Sequence, residues 1–239
     1  MIPKKIHYFW FGGNEKPKSV VKCIDSWKKY CPDYEIIEWN ETNFDVHCMP
    51  FVEQAYNAKK YAFVSDVARL IVVYEQGGIY MDTDVEVLRP LDDLLDNYAY
   101  MSFENDENVN TGQGFGAEAD FPLLKEHIDV YRNASFIDEN GSLNQTACTK
   151  YTTDLLVKRG LIQNGEKQII DNLMLYPADY FNPYDSLTGK LKKTENTYSI
   201  HWYDASWSDT SQGRLKINRF IRRIIGVENM ERIKKLLGK

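Results

Sequence analysis

The sequence has few cysteines and no long apolar run. Its 239 residues include four cysteines, and they form neither a C-x-x-C pair nor a regular framework, which argues against a disulfide-stabilised scaffold or a zinc site. The N-terminus lacks the apolar core of a signal peptide, and no segment has the roughly 20 apolar residues that a membrane-spanning helix needs. These absences predict reduced thiols and a cytoplasmic location. The cysteines are Cys23, Cys31, Cys48 and Cys148.

Charge is divided between an acidic body and a basic tail. The net charge is −6, but residues 213–239 hold nine Lys and Arg against two Glu, so the tail carries +7 and residues 1–212 carry −13. A body this acidic argues against nucleic acid binding across the whole protein. The shift predicts a domain boundary between 1–212 and a tail, 213–239.

The tail has the pattern of an amphipathic helix, with apolar residues at helical spacing and arginines between and opposite them. A basic amphipathic helix can lie on an anionic membrane surface. It can equally dock on the acidic body or on a second subunit. Both interpretations stay open, and a lipid-linked acceptor would suit the first.

Strand-like and helical segments alternate from the N-terminus onward. Residues 5–11 and 34–39 are rich in aromatic and β-branched residues, and 17–30 opens on a proline and has apolar residues at helical spacing. This strand–helix–strand order predicts an α/β fold with a nucleotide-binding sheet.

The rest of the body continues the alternation. Residues 51–76 predict one or two helices, the later of which, 63–75, stops at a pair of glycines. Its predicted apolar face consists of Phe63, Leu70, Ile71 and Tyr74. The other predicted elements are strands 79–82, 85–88, 98–103, 169–176 and 198–202, a glycine-rich segment 111–117, and helices 122–133 and 146–159.

Two carboxylates, Asp82 and Asp84, stand two residues apart after a short apolar run. Residues i and i+2 of a strand point to one side, so the pair either shares a face or converges where the strand becomes a loop. Like charges this close repel unless a cation lies between them. Hard divalent ions take oxygen ligands and keep positions open for substrate phosphates. The pair predicts a metal site for a nucleotide-sugar. The alternative without a function is a solvated turn.

Three segments of the body form a set of motifs. The central one is 65–69 (SDVAR) followed by 77–84 (GGIYMDTD), the first is 2–13, and the last is 200–207, a His followed by Ser-Trp. Together they resemble the DXD-motif sugar transferases of glycosyltransferase family 32, and distantly the catalytic domain of the large clostridial glucosylating toxins. The resemblance touches both ends and the centre of the body, and not the basic tail.

The resemblance implies a GT-A type fold, a Rossmann-like mixed sheet flanked by helices, and retention of configuration at the anomeric carbon. It implies that Asp84 binds the metal, Mn²⁺ or Mg²⁺, directly, and that Asp82 reaches the metal through water or holds the ribose. Trp10 would stack on the base, with the Phe9 backbone beside it.

Asp66 and Arg69 lie three residues apart on a helix and therefore on one face. The resemblance implies that both grip the donor sugar and its phosphate, and the alternative is an ordinary surface salt bridge. Tyr80, which alternates with Asp82 along the predicted strand, either contacts the nucleotide or packs in the core.

His201 is predicted as the third metal ligand, because a neutral imidazole suits a manganese-type ion and related enzymes supply a C-terminal His in that role. The toxin branch uses a carboxylate instead, so Asp204 is a competitor. Ser206 and Trp207 would belong to a loop that closes over the diphosphate and excludes water.

The predicted function is metal-dependent, retaining transfer of a hexose from a nucleotide-diphosphate sugar to a saccharide acceptor, free or lipid-linked, in bacterial surface or capsular polysaccharide synthesis. A UDP-hexose is the expected donor, with GDP-mannose behind it. The metal and Arg69 would offset charge on the leaving diphosphate while the acceptor hydroxyl attacks from the same face, since no candidate protein nucleophile stands out. A tail on the inner face of the membrane would bring the enzyme to its acceptor.

Three alternatives accompany this prediction. Asp82 also fits the nucleophile of a haloacid-dehalogenase-type phosphohydrolase, whose motif normally follows the first strand instead. The second alternative is a toxin-like glucosyltransferase that modifies a protein. The third is a non-catalytic sugar-binding relative, but the full set of site residues argues against it. The glycine-rich segment 110–116 lacks the Lys-Ser/Thr ending of a P-loop and is predicted to admit a sugar near the metal.

Overall fold

The structure of the chain is a computed structural model. It describes residues 1–204 together with Arg219, Arg222, Arg223, Gly226 and Asn229. The predicted domain boundary and, apart from those five positions, the predicted tail helix lie outside the described residues.

The chain opens with the predicted strand–helix–strand unit. β1 is Lys5–Phe9, α1 is Lys18–Tyr30 and β2 is Glu35–Trp39, and the two strands pair in parallel along their whole length. Helix α1 connects them, and its apolar residues at spacings of three and four are buried because they face the sheet. Those residues are Val20, Cys23, Ile24 and Trp27.

Residues 50–76 form two helices, α2 (Pro50–Asn57) and α3 (Tyr61–Gln76). The predicted apolar face of α3 is only partly right, because Leu70 is buried whereas Phe63, Ile71 and Tyr74 are half-buried. Helix α3 contacts sheet strands and also both α2 and a later helix, so its buried surface is wider than a single stripe. The buried positions are Val64, Val67, Ala68, Arg69, Leu70, Val72 and Val73.

A turn between two short strands carries the acidic pair. Gly77 ends α3, as predicted, with a φ of 63° that favours glycine. β3 (Gly78–Tyr80) and β4 (Val85–Val87) are shorter than the predicted strands 79–82 and 85–88. The strand prediction for the first aspartate is therefore wrong, and the two carboxylates converge in a loop.

The later strands include one hairpin that sequence periodicity did not show. The predicted strand 169–176 is in fact β8 and β9, paired antiparallel around Asp171 and Asn172. These two residues have φ of 47° and 66°, and positive φ at both central positions is what a two-residue hairpin turn requires. The remaining elements are β5 (Ala99–Phe103), β6 (Val109–Asn110), β7 (Phe115–Ala117), α4 (Pro122–Arg132), α5 (Cys148–Lys158), β8 (Gln168–Ile170), β9 (Leu173–Tyr176) and β10 (Ser199–His201).

The central sheet is mixed and has eight strands. Its order is β2-β1-β3-β7-β5-β9-β8, with β6 paired to β5, and β10 forms a separate antiparallel pair with β4. β1 is parallel to β3, β3 and β5 are each antiparallel to β7, and β5 is parallel to β9. The strands β1, β3, β5 and β9 therefore run in one direction, and their carboxyl ends meet at one edge of the sheet.

Apolar side chains fill both faces of the sheet. One cluster lies between the sheet and α2, α3, α4 and α5, and the other includes α1, β4 and the loop that follows it. This two-sided burial is the layered α/β arrangement that the alternation of elements predicted. In the part of the chain that the structure describes, no helix combines the length and the apolar character needed to cross a membrane.

Candidate active site

Asp82 follows β3 and is held by backbone and side-chain contacts. Its N–H donates to the Gly112 carbonyl at 2.9 Å, and its Oδ1 accepts from the Tyr80 hydroxyl at 2.5 Å. The Asp82 carboxylate lies at the carboxyl edge of the sheet, where α/β folds bind their ligands. The Tyr80 ring is buried in the core while its hydroxyl orients Asp82, and contact of Tyr80 with a nucleotide stays a prediction.

The pairing of β10 with β4 brings His201 to the acidic turn. His201 stands opposite Val85 in this antiparallel pair, and its Nε2 lies 3.1 Å from Asp84 Oδ1 and 4.0 Å from Asp82 Oδ2. One ligand atom from each of the three side chains lies within 4.8 Å of the others. Two carboxylates and an imidazole at this spacing could hold a divalent cation.

The electrostatics of this corner couple His201 to Asp84. Burial acts to lower the pKa of His201, but the Asp84 carboxylate outweighs it and raises that pKa. Burial acts conversely to raise the pKa of Asp84, and the His201 imidazole outweighs it and lowers that pKa. The imidazole also stacks on the Tyr203 ring at a centroid distance of 4.1 Å.

Asp204 enters the corner through its backbone. Its N–H donates to Asp84 Oδ2 at 2.9 Å, which leaves Asp84 Oδ1 toward His201. Among the residues that the structure describes, the cluster able to hold a metal contains His201 and not Asp204. Ser206 and Trp207, predicted to cover the diphosphate, lie outside the described residues.

Asp66 and Arg69 form a buried ion pair beside Asp82. Their side chains are 12% and 3% exposed, so the interpretation as a surface salt bridge is wrong. Arg69 donates through Nη2 to Asp66 and through Nε to the Ser65 carbonyl, and its Nη1 lies 3.5 Å from Asp82 Oδ1. Burial raises the pKa of Asp66 to about 6, against the opposing effect of Arg69.

The glycine-rich segment 110–116 packs against Asp82 and Arg69 through Gly112. A Cβ on Gly112 would be 2.3 Å from Asp82 Oδ2 and 3.0 Å from Arg69 Nη1. The segment therefore lets the backbone approach the two charged groups, a role more specific than the predicted admission of a sugar. Arg69 Nη1 itself is buried without a hydrogen-bond partner in the described part of the chain, and an anionic ligand atom would supply one.

Trp10 and Phe9 lie at the end of β1, on the same sheet edge as the acidic pair. The Phe9 side chain is buried against Phe11 and Phe44, which leaves its backbone as the part available to a ligand. Trp10 is half-exposed and donates through Nε1 to the Asn14 carbonyl at 2.7 Å. The structure gives these two residues no contact with the metal-binding cluster, and their roles toward the base stay predictions.

Sequence reasoning missed a second polar group, formed by Glu104, Asn182 and Tyr203. Glu104 directly follows β5, and its Oε1 accepts from the Tyr203 hydroxyl at 2.8 Å. Asn182 Nδ2 donates to the Glu104 carbonyl at 2.9 Å. The available indication was the position of Glu104 after a predicted strand, since the carboxyl ends of parallel strands share one edge.

A family comparison matches a stretch in the N-terminal half of the chain. Residues 17–101 match the family described as a glycosyltransferase sugar-binding region containing a DXD motif. The matched stretch includes Asp66, Arg69, Asp82 and Asp84, and it confirms the resemblance found in the sequence. The phosphohydrolase alternative loses its support, because Asp82 lies in this glycosyltransferase region.

Curated relatives cover part of the chain. Inositol phosphoceramide mannosyltransferase 3 of Schizosaccharomyces pombe is 33% identical over 127 residues, 51% of this chain and 35% of the relative. Inositol phosphoceramide mannosyltransferase 1 of the same organism is 26% identical over 166 residues, 65% of this chain and 48% of the relative. The chain thus spans less than half the length of these two relatives.

A solved structure shares the fold. PaToxG Glycosyltransferase superimposes with a TM-score of 0.53 at 20% sequence identity, over 66% of this chain and 69% of that one. At this identity the similarity shows the fold alone. Together with the mixed sheet flanked by helices, it confirms the predicted GT-A type α/β fold.

Proposed function

We propose that this chain, whose residues 17–101 match a glycosyltransferase sugar-binding region containing a DXD motif, transfers a hexosyl group from a nucleotide-diphosphate sugar to a saccharide hydroxyl. The observation that carries the proposal is the convergence of Asp82, Asp84 and His201 next to the buried Asp66–Arg69 pair. Asp82, Asp84 and His201, called the metal corner below, supply ligands for a cation. Asp66 and Arg69, called the donor pair below, form a charged pair suited to a sugar and its phosphate.

A divalent ion, Mn²⁺ or Mg²⁺, would be held by Asp82, Asp84 and His201. When bound there, such an ion neutralises charge on diphosphate oxygens and so favours departure of the nucleoside diphosphate. The Asp204 amide fixes the Asp84 carboxylate and the Tyr80 hydroxyl fixes that of Asp82. The protein thus holds its ligands in place before any metal arrives.

The donor would lie across the carboxyl edge of the sheet. Arg69 Nη1 has no hydrogen-bond partner in the described part of the chain and would donate to a phosphate or sugar oxygen. Asp66 would accept from a sugar hydroxyl, and Trp10 would stack on the base. We retain a UDP-hexose as the first candidate donor and GDP-mannose as the second, which the names of the two mannosyltransferase relatives support.

The reaction would retain configuration at the anomeric carbon. The acceptor hydroxyl attacks on the face from which the diphosphate leaves, and a leaving phosphate oxygen takes its proton. Arg69 balances the charge that develops on the diphosphate. The measurement that decides this point is the anomeric configuration of the product by proton NMR, and an inverted product would contradict it.

The decisive experiment replaces Asp84 by Asn. The variant keeps an oxygen to accept from the Asp204 amide but loses the negative charge, so we expect transfer and donor hydrolysis to fall by about 100-fold or more. The thermal shift given by UDP or GDP with Mn²⁺ should vanish, while the melting temperature without ligand stays close to that of the parent.

The control for this experiment is the exposed Asp96. Asp96→Asn makes the same chemical change away from the site and should keep full activity. Metal-dependent turnover that survives Asp84→Asn would remove the ligand assignment. Donor hydrolysis by the parent that survives thorough chelation would remove the metal requirement.

The acceptor is proposed to be a saccharide, free or lipid-linked, in surface polysaccharide assembly, with the enzyme in the cytoplasm and its basic tail on the inner membrane face. Charge supports this, since the tail carries +7. One observation favours docking on the body instead, because Arg219 donates to the Ser186 and Tyr203 carbonyls at 3.1 and 2.9 Å.

Vesicle flotation of the whole chain tests the membrane interaction. Binding to vesicles with anionic lipid, lost in high salt and absent with neutral lipid, is the expected result. A chain that floats with neither vesicle docks its tail on protein, and sedimentation then distinguishes its own body from a second subunit.

A further inference from the structure

We infer that Glu104 and Asn182 form the subsite for an uncharged hydroxyl group of the acceptor. The inference rests on the proposed function and deepens it, because it names the residues that receive the second substrate. It is drawn from a polar group that belongs neither to the metal corner nor to the donor pair.

The sheet places Glu104 at the edge where the donor would lie. β3 and β5 run in the same direction, each antiparallel to β7 between them. Asp82 comes two residues after β3, and Glu104 comes directly after β5. The two carboxylates thus leave the same side of the sheet, separated by the width of one strand.

Tyr203 connects Glu104 to the proposed metal ligands. The Tyr203 hydroxyl that donates to Glu104 belongs to the ring stacked on His201. Glu104 and His201 therefore contact the same tyrosine side chain, at its hydroxyl and at its ring face.

The group has unused capacity to accept hydrogen bonds. Glu104 Oε1 accepts from Tyr203, whereas Oε2 accepts from no residue that the structure describes. Asn182 Nδ2 donates to the Glu104 carbonyl, and its Oδ1 is buried without a partner among the described residues. A buried amide oxygen such as Asn182 Oδ1 is costly when it has no hydrogen-bond donor. A bound hydroxyl would donate to them.

The charge of the surroundings selects the chemistry of that ligand. The ion pairs among the described residues do not include Glu104. A carboxylate accepts hydrogen bonds but cannot donate them. A phosphate or carboxylate on the acceptor would be repelled here, so the contacting part of the acceptor is a neutral polyol or sugar ring.

The test compares transfer with donor hydrolysis in Glu104→Gln. Glutamine has one oxygen, which the Tyr203 hydroxyl occupies, and its NH₂ then faces the acceptor. We expect the acceptor KM to rise about 10- to 100-fold, the loss of one hydrogen bond to a charged group. Hydrolysis of the nucleotide-sugar by water, and the thermal shift with UDP or GDP and Mn²⁺, should stay within twofold of the parent. The acceptors used are methyl mannoside, methyl galactoside and myo-inositol.

Two further variants separate acceptor binding from a purely structural role. Glu107→Gln changes an exposed glutamate of the same loop and should leave every measurement unchanged. Tyr203→Phe keeps the ring on His201 but frees Glu104 Oε1, so its acceptor KM should rise less than that of Glu104→Gln. If Glu104 only positioned Tyr203 and His201, both variants would lose hydrolysis and metal response equally.

The possible failures are distinguishable. An unchanged acceptor KM in Glu104→Gln, or a parallel loss of hydrolysis and transfer, overturns the subsite while leaving the glycosyltransferase intact. A parent protein that neither hydrolyses nor binds any nucleotide-sugar overturns the proposed function, and the acceptor subsite with it.

Discussion

Arg69 lies in the interior with a carboxylate on each of two sides. Its side chain is 3% exposed, it contacts Asp66, and its Nη1 is 3.5 Å from Asp82 Oδ1. The guanidinium carbon also lies 4.8 Å from the centre of the Tyr80 ring. Removal of one member of a buried charged group strands the others, which typically destabilises a protein by about 3–5 kcal/mol. Substitutions of Arg69 therefore mix folding with catalysis and are poor probes of its role.

Substitution of Gly112, which lies next to Asp82 and Arg69, tests the site with less effect on folding. In Gly112→Ala the new Cβ would lie 2.3 Å from Asp82 Oδ2, so the carboxylate must move. We expect activity to fall about 100-fold, since a displacement near 1 Å at a reacting centre has that effect. The free energy of unfolding should fall by only about 1–3 kcal/mol. Steady-state kinetics and urea unfolding measure the two effects.

Gly141→Ala is the control for that substitution. Gly141 has a φ of 80°, and a methyl group added there would meet no described atom within 4 Å, so alanine strains the backbone without touching the site. A loss of stability with full activity is expected there. Equal activity in the two variants would show that Asp82 tolerates displacement and does not hold the cation.

Residue-level prediction depends on motifs that are local in the sequence. Asp82 and Asp84 were singled out because they are two residues apart, and Asp66 and Arg69 because they lie in the motif that resembles the DXD-motif sugar transferases. The burial of Arg69 was not predictable, because an arginine on a helix is normally exposed. Glu104 carries no motif at all, and its importance follows only from the direction of β5.

At the scale of elements, the small β4–β10 sheet assembles the metal corner. β4 is anchored from α1, where the Trp27 indole is fully buried and donates to the Val85 carbonyl at 2.8 Å. β10 then pairs with β4 and places His201 opposite Val85. The strands themselves were predicted from composition. Their pairing was not, since it joins residues more than one hundred positions apart and leaves no local pattern.

Helix α3 illustrates the same limit. Its existence and its end at Gly77 follow from periodicity and from a glycine with positive φ. Its buried face was misjudged, because the width of that face depends on α2 and α4 packing beside it. Hydrophobic spacing identifies the element, whereas its neighbours in space decide which of its residues are covered.

At the scale of the whole molecule, two buried groups respond to acid in opposite directions. His127 on α4 is 2% exposed and stacks on Tyr131, and burial, helped by Arg69, lowers its pKa to about 3. Burial raises the pKa of Asp66 to about 6. As pH falls, the folded chain binds a proton at His127 only at a lower pH than the unfolded chain does, but it binds one at Asp66 at a higher pH. Because the two residues change the free energy of unfolding in opposite directions, a variant is needed to measure either effect.

His127→Phe should make the fold less sensitive to acid. Between about pH 6.5 and pH 3 the unfolded chain binds a proton at His127 that the folded chain does not, so this residue makes stability fall as pH falls, by about 1.4 kcal/mol per unit. From pH 6.5 to 4.5 the parent should lose about 2–3 kcal/mol more than the variant, measured by urea unfolding at each pH. The control is His47→Phe, since the His47 side chain is 62% exposed at the surface, where its Nδ1 contacts Glu53. Parallel pH curves for parent and His127→Phe would mean that the His127 imidazole is charged inside the core.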